Sequence, residues 1–444
     1  MKILLSLLLL MLIGTQTFSI DASLAPGLSV KNAMLYLIAA GLILRMVVSG
    51  RFKADLVGLQ MSFVFLIVYA TVSWMIALFA IQYPGYELVN SIIRLKGDFI
   101  DHAIFLIVFF YGVQTLKDSM AVIDVLAAGT VFANAITALD ASGVLGWNII
   151  PVRTEDLYEI GRVQGAFGEA NQHAAVVVLL LPITMAKVML DRGVMKLFWL
   201  SGVLFGLSAL LMTVSRGAML GIILACLWGA FVFRRFLSLG RLAGWFSAGV
   251  LVVSIAVVSL SATYLELLQD RVLGLSFDSD AAEATSGRTM IWGTALKEMM
   301  QAPWTFFTGY GFDVYSTMGF EYAPHNTYLG LLFNLGLPGL VAFLLIIVQA
   351  VLAARNAAES ASPTARAYLI SFVVGFIALC VAIFFVELHE PWLYVWAYTG
   401  LAMRVVVCVR DAKAAESKLP AAASRSESAV GRRVLGRQTA NSNR

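Results

Sequence analysis

Charge is what this chain has least of. Asp, Glu, Lys and Arg make up 13% of its 444 residues, against 60% hydrophobic residues and a mean hydropathy of +0.85. Soluble domains are about 25% charged. The deficit excludes a soluble enzyme, a coiled coil, a disordered chain and a nucleic-acid binder. Cysteine is scarce as well: Cys226, Cys380 and Cys408 each sit in an apolar run, far from one another in sequence. No disulfide framework fits such spacing, and all three are expected to be small buried hydrophobes. The chain has no phosphate-binding glycine loop of the P-loop type, no zinc-ligand cluster and no Gly-x-Ser-x-Gly elbow. It also lacks internal repeats, which weighs against a transporter assembled from inverted halves.

Long apolar runs are what the chain has instead. Twelve stretches, at about 3–20, 32–49, 61–81, 99–116, 120–139, 172–190, 197–214, 216–233, 243–262, 327–352, 367–387 and 391–409, approach the roughly 20 residues that a membrane-crossing helix needs. They predict an all-α polytopic membrane protein with about twelve transmembrane helices. The first run, Lys2 followed by Ile3 to Ile13, reads equally as a signal peptide, and its removal leaves the rest of the topology unchanged. With the N-terminus in the cytoplasm, 22 of the 31 basic residues fall inside. The outer nine are Lys31, Arg94, Lys96, Arg153, Arg162, Arg216, Arg271, Arg288 and Lys297. The positive-inside rule then gives N-in and C-in. Residues 1–410 form the membrane domain, with outer loops at 140–171 and 263–326, the second large and partly helical. Residues 411–444, rich in Ala, Ser and Arg, are expected to be a disordered basic cytoplasmic tail, either solvated or resting on the anionic inner leaflet.

All four histidines, His102, His173, His325 and His389, fall at or near the outer face. Three are isolated at helix ends and read as structural or interfacial groups. His325 differs, lying in Ala323-Pro-His-Asn-Thr-Tyr-Leu329. Pro324 discourages helix before it, and Asn326 or Thr327 can cap the span that follows. A neutral imidazole there can accept a proton, and the positive end of the helix dipole disfavours its charged form. Arg216, in Thr213-Val-Ser-Arg-Gly-Ala218, separates two apolar runs with almost no loop. It is either an ordinary snorkelling arginine or, beside free backbone N–H groups, a phosphate ligand at headgroup level. Arg288 opens the amphipathic stretch Ser286 to Met300, where a cation at a helix start calls for an anionic partner. That partner is Glu283 in the plain reading and a ligand in the functional one. Glu169 and Asn171, after Arg162, either line the same outer face or cap the next span. Gly309-Tyr-Gly311 reads as a turn closing the outer loop. Asp278-Ser-Asp280 looks like an acid pair for a divalent ion but lacks a third ligand, so no metal is expected. The spans hold few charges (Arg45, Asp101, Asp124 and Arg404), none with an evident partner, which argues against a transport path.

Taken in order over about residues 160–345, these pieces resemble the O-antigen ligase and polymerase superfamily of bacterial membrane glycosyltransferases. They are the Arg162 to Asn171 stretch, Ser215-Arg-Gly217 opening a span, Ser286-Gly-Arg288 with Gly309 and Gly311 behind it, and Pro324-His-Asn-x-Tyr-Leu329. Leu335-Gly-Leu-Pro-Gly-Leu340 follows the histidine as in this family, whereas Asn334 stands where many relatives carry an acid. The resemblance implies transfer of a glycan from an undecaprenyl pyrophosphate carrier to an acceptor hydroxyl at the periplasmic face of the inner membrane. It implies no metal, nucleotide or other cofactor. Arg216 and Arg288 would bind the pyrophosphate and His325 would deprotonate or orient the acceptor. Arg162, Glu169, Asn171, Asn326 and Tyr328 would contact substrate. Lipid A–core is the favoured acceptor. Another lipid-linked glycan would make the protein a polymerase, and a protein hydroxyl an O-oligosaccharyltransferase, a type that usually carries an extra soluble C-terminal portion. A polytopic transporter or flippase is the competing class. Beyond these substrates, membrane lipids are the only partners expected, and nucleic acid is not among them.

Overall fold

The computed structural model describes residues 1–50, 57–155, 158–236, 288–320, 323–389 and 391–418. Apolar composition without period-2 alternation makes these residues overwhelmingly helical. Helix α1 (Lys2–Thr17) leads through a short hairpin, β1 (Ser23–Ala25) and β2 (Leu28–Ser29), into α2 (Val30–Ser49). Next come α3 (Leu59–Met75), extended by a π-helical segment Ile76–Ile81, then α4 (Leu88–Leu95) and α5 (His102–Gly112), joined by a second π segment, Lys96–Asp101. Helix α6 (Leu116–Ala141) precedes a second antiparallel hairpin, β3 (Val152–Glu155) and β4 (Tyr158–Val163). Three apolar helices follow: α7 (Ala170–Leu190), α8 (Gly193–Met212) and α9 (Arg216–Val232). After α10 (Arg288–Gln301) and the single turn α11 (Thr305–Thr308) come α12 (Thr327–Ser360), α13 (Pro363–Ala382) and α14 (Trp392–Lys418).

Side-chain caps set several of these starts. Ser29 accepts from Asn32 N–H, Thr115 from Asp118 N–H, and Ser362 from Ala365 N–H ahead of Pro363 at the first helical position.

Eight helices among the described residues are long and apolar enough to cross a membrane, fewer than the twelve runs counted in the sequence. Helices α1 and α9, at 16 and 17 residues, are shorter than the usual span. The continuous helix from Leu88 to Gly112 carries Arg94, Lys96, Asp98 and Asp101 in its first half, so only its second half is apolar. The run at 243–262, Asp278, Asp280 and Glu283 lie outside the described residues, as does much of the 263–326 loop. Helix α14 runs past the domain boundary expected at 410, because Asp411-Ala-Lys-Ala-Ala-Glu416 consists mostly of strong helix formers.

Two sequence readings need correction. The cysteines are not buried hydrophobes: Cys226 is exposed and Cys380 and Cys408 are half-buried. An apolar run identifies a membrane segment but not which of its faces meets protein. Three of the four charges noted within spans, Asp101, Asp124 and Arg404, do have partners. Asp124 accepts from Lys187 Nζ at 3.0 Å and from the Tyr368 hydroxyl at 2.5 Å, and Lys187 also pairs with Asp191 at 3.1 Å. Arg404 donates to the Phe110 carbonyl at 2.8 Å and lies over the Phe110 ring. Asp101 accepts from Tyr36, Asn32 and Lys96. A charge buried in a bundle is tolerated when it is paired and hydrogen-bonded.

Helix α13 sits at the centre, packed on α7 and α9 and joined to α14. Glycines let these backbones touch. A methyl group on Gly375 would lie 2.0 Å from the Leu179 carbonyl oxygen, one on Gly221 2.5 Å from that of Ala378, and one on Gly400 2.6 Å from that of Leu106. Small residues at crossings are how membrane helices gain packing when there is no hydrophobic drive between them. Gly375→Val is therefore expected to force α7 and α13 apart at a cost of about 2–3 kcal/mol. The check is the melting temperature and the monodisperse yield of the detergent-purified variant against the wild type.

Candidate active site

The 383–389 turn between α13 and α14 organises one end of the bundle. Thr327 at the start of α12 donates its N–H to the Ile383 carbonyl (3.0 Å) and its hydroxyl to the Val386 carbonyl (2.9 Å). Asn326 caps α12 by accepting from Leu329 N–H at 3.0 Å, so the cap anticipated at 326 or 327 falls on the asparagine. His325, one residue earlier, is half-buried and held at φ 45°. A non-glycine residue in that left-handed region is uncommon, and such strain gathers at functional sites. Pro324 on its other side accepts the indole N–H of Trp292 at 2.9 Å. Trp292 belongs to α10, the helix that Arg288 opens, and its ring meets Phe384 edge-on. The Arg288 guanidinium lies 6.0 Å from the centre of the Phe385 ring. Arg216 opens α9 from the same side: Gly217, its neighbour, is packed so closely on Phe385 that a methyl group would come within 2.5 Å of the ring. The segments that carry Arg216, Arg288 and His325, far apart in sequence, thus converge on one short turn.

Arg162 and Asn171 shape the approach to Arg216. The Arg162 guanidinium donates to the Thr213 carbonyl at 3.1 Å and to the Asn171 side-chain oxygen at 2.9 Å. It ties the second hairpin to the start of α7 and to the tight turn before α9, where Val214 is held at φ 48°. Glu169 occupies the N-cap position of α7 without a side-chain cap bond. Tyr328 donates to the Cys380 carbonyl at 2.7 Å, pinning α12 to α13. The Gly309-Tyr-Gly311 turn docks on α12, with Tyr310 N–H on the Phe333 carbonyl and Gly311 N–H on the Asn334 carbonyl. Asn334 accepts Tyr315 N–H through its side chain at 3.2 Å.

Beyond the 383–386 turn lies a cavity of about 550 Å³, walled in part by Ala323, Pro324 and Thr327 around His325. Its lining includes Arg94, Asp98, His102, Asp313, Glu387 and His389. None of the three carboxylates stood out in the sequence. They are 98, 313 and 387 in the chain, with no local motif to flag them. Arg94 pairs with Asp313 at 2.8 Å. Burial, reinforced by Asp98 and Asp313 and opposed by Arg94, pushes the Glu387 carboxyl up to about 7. Burial and Asp313 push Asp98 up to about 7 as well, against Arg94. A second cavity, of about 740 Å³, meets the first at Asp98, His102 and His389 and opens toward the α1–α2 hairpin.

His102 is buried where these two cavities meet. His173 is fully buried, stacked on Phe167 with centroids 5.3 Å apart, so it is a packing group and not an interfacial one. No cluster able to hold a metal ion exists among the described residues.

The raised Glu387 carboxyl gives a pH test. Between about pH 4.5 and about 7 the folded protein holds a proton there that the unfolded chain releases. That favourable contribution is complete below the unfolded value and is lost as pH rises through the folded one. Glu387→Gln, neutral throughout, should melt close to the wild type near pH 4.5 and be the more stable protein at pH 8, by on the order of 2 kcal/mol. Thermal melts at the two pH values check this.

Residues 201–344 match the family model described as O-antigen ligase. No curated protein sequence matches the chain.

Proposed function

We propose that the chain, whose residues 201–344 match the O-antigen ligase family model and which has eight candidate membrane spans among the described residues, is a multi-pass membrane ligase of lipid-linked glycans acting at the periplasmic face of the inner membrane. It moves a glycan from undecaprenyl pyrophosphate to a hydroxyl of lipid A–core. The observation that supports this reading is the convergence of the segments carrying Arg216, Arg288 and His325 on the 383–386 turn.

The donor is already activated, so the protein has to position it and stabilise the departing charge. The acceptor hydroxyl attacks the anomeric carbon, the bond from that carbon to the pyrophosphate oxygen breaks, and the hydroxyl proton passes to the His325 imidazole. Arg216 and Arg288, each at a helix N-terminus, hold the pyrophosphate as negative charge develops on it. Two planar guanidiniums, each able to make paired hydrogen bonds, suit that task without a metal. Charge distribution supports the orientation. Lys2, Lys187, Arg235 and Arg366 pair with acids or carbonyls at the end of the bundle opposite the candidate site.

The test is the glycolipid profile of a deletion strain complemented with the wild type or with His325→Ala. Long glycan retained on the carrier beside bare lipid A–core, restored only by the wild type, is the expected result. Single repeat units persisting on the carrier, or capping the core one at a time, would make the protein a polymerase instead. No change in either lipid pool would remove glycan transfer altogether.

A further inference from the structure

The 383–389 turn serves two environments. Phe385 packs under the Arg288 guanidinium and against Gly217, next to Arg216, whereas Glu387, Leu388 and His389 line the 550 Å³ cavity. Resting on the transfer reading above, we propose that this cavity holds the terminal sugars of the acceptor and selects sugars that bear no phosphate or carboxylate.

Three observations carry this. The first is the lining: Trp392 and Trp396 stack with centroids 5.5 Å apart, and Phe99 meets Phe312 edge-on in the cavity wall. Flat apolar rings beside carboxylates suit a sugar, which has an apolar C–H face and a polar rim of hydroxyls. The second is a set of acceptors: the half-buried Glu387 carboxyl and the exposed Asp98 carboxyl both line the cavity. Sugar hydroxyls can donate to such groups. Gly330 makes room for one of them, since a methyl there would lie 2.9 Å from the Glu387 carboxyl oxygen. The third is sign. Three acids, Asp98, Asp313 and Glu387, face one arginine, Arg94, so a phosphate would meet a lining of predominantly like charge. The volume lies within the range of small-ligand pockets. Phosphate recognition and sugar recognition thus fall on neighbouring residues of one turn.

The experiment uses the full chain in lipid nanodiscs and varies donor and acceptor concentrations separately. The acceptor is glycolipid extracted from the deletion strain, used as isolated and after chemical dephosphorylation. Asp98→Asn/Glu387→Gln and Trp392→Ala are expected to raise the acceptor KM at least tenfold and leave the donor KM within twofold. The double variant should also accept phosphorylated material relatively better than the wild type, a change that general damage to the fold would not produce. An unchanged acceptor KM in both variants overturns the proposal, as does a wild type that loses tenfold or more in kcat/KM when its acceptor is dephosphorylated. A wild type that transfers no lipid-linked glycan to any acceptor overturns the ligase reading itself, a result separable from the other two.

Discussion

Arg216→Ala and Arg288→Ala are each expected to slow glycan transfer by roughly a hundred- to a thousandfold, equivalent to about 3–4 kcal/mol of transition-state stabilisation. The measure is kcat at saturating donor and acceptor with purified protein. Both residues stand at helix starts, Arg288 over the Phe385 ring and Arg216 next to the Gly217 that packs on it, and neither helix depends on its arginine for a cap. The alanine variants should therefore fold and insert normally. Lysine at either position keeps the charge but loses the planar pair of donors, and should recover only part of the rate. The two losses should not add in the double variant, because both groups act on one departing pyrophosphate. A single variant with full activity would take its arginine out of the mechanism.

The largest expected effect on folding lies at Gly309 and Gly336. Both sit where φ is positive and ψ is near 180°, at φ 70°, ψ 177° and φ 63°, ψ −169°. Glycine alone occupies that region readily, and other residues there cost about 1–3 kcal/mol. The two glycines also lie against each other. A methyl on Gly336 would come within 2.6 Å of the Gly309 nitrogen, and one on Gly309 within 2.3 Å of the Asn334 carbonyl oxygen. Every opposing atom is backbone, so no side chain can swing away. Strain and overlap together give about 3–5 kcal/mol for Gly309→Ala or Gly336→Ala, a large share of a typical stability of 5–15 kcal/mol. Thermal melts and protease resistance in detergent would show it. Gly319→Ala, at an equally positive φ but with nothing within 4 Å, separates the two terms and should cost only the strain.

These pairs show what a sequence can and cannot reveal. The Gly-Tyr-Gly turn and the Leu335-Gly-Leu-Pro-Gly339 segment were both visible as local signals, but not that one docks on the other. Positions of the apolar helices were legible because hydrophobic runs report their own local structure. His325, Arg216 and Arg288 were legible because each breaks a local rule: a charge or an imidazole where a helix begins. Asp98, Asp313 and Glu387 break no such rule. Their significance comes from meeting across some 290 residues of chain, and part of it from the π segment Lys96–Asp101, which changes which side of its helix Asp98 faces. Partners for Asp124 and Arg404 were hidden for the same reason.

Helix α14 is the most enclosed of the eight candidate spans, and α2 the least. The ribosome makes α14 after every other described helix, so the nascent bundle must wait in the membrane with its central groove facing lipid. Until α14 arrives, the Phe110 carbonyl lacks the guanidinium of Arg404, and one wall of the sugar chamber, Trp392 and Trp396, does not exist. Assembly and competence to bind substrate are thereby completed in the same late step of synthesis.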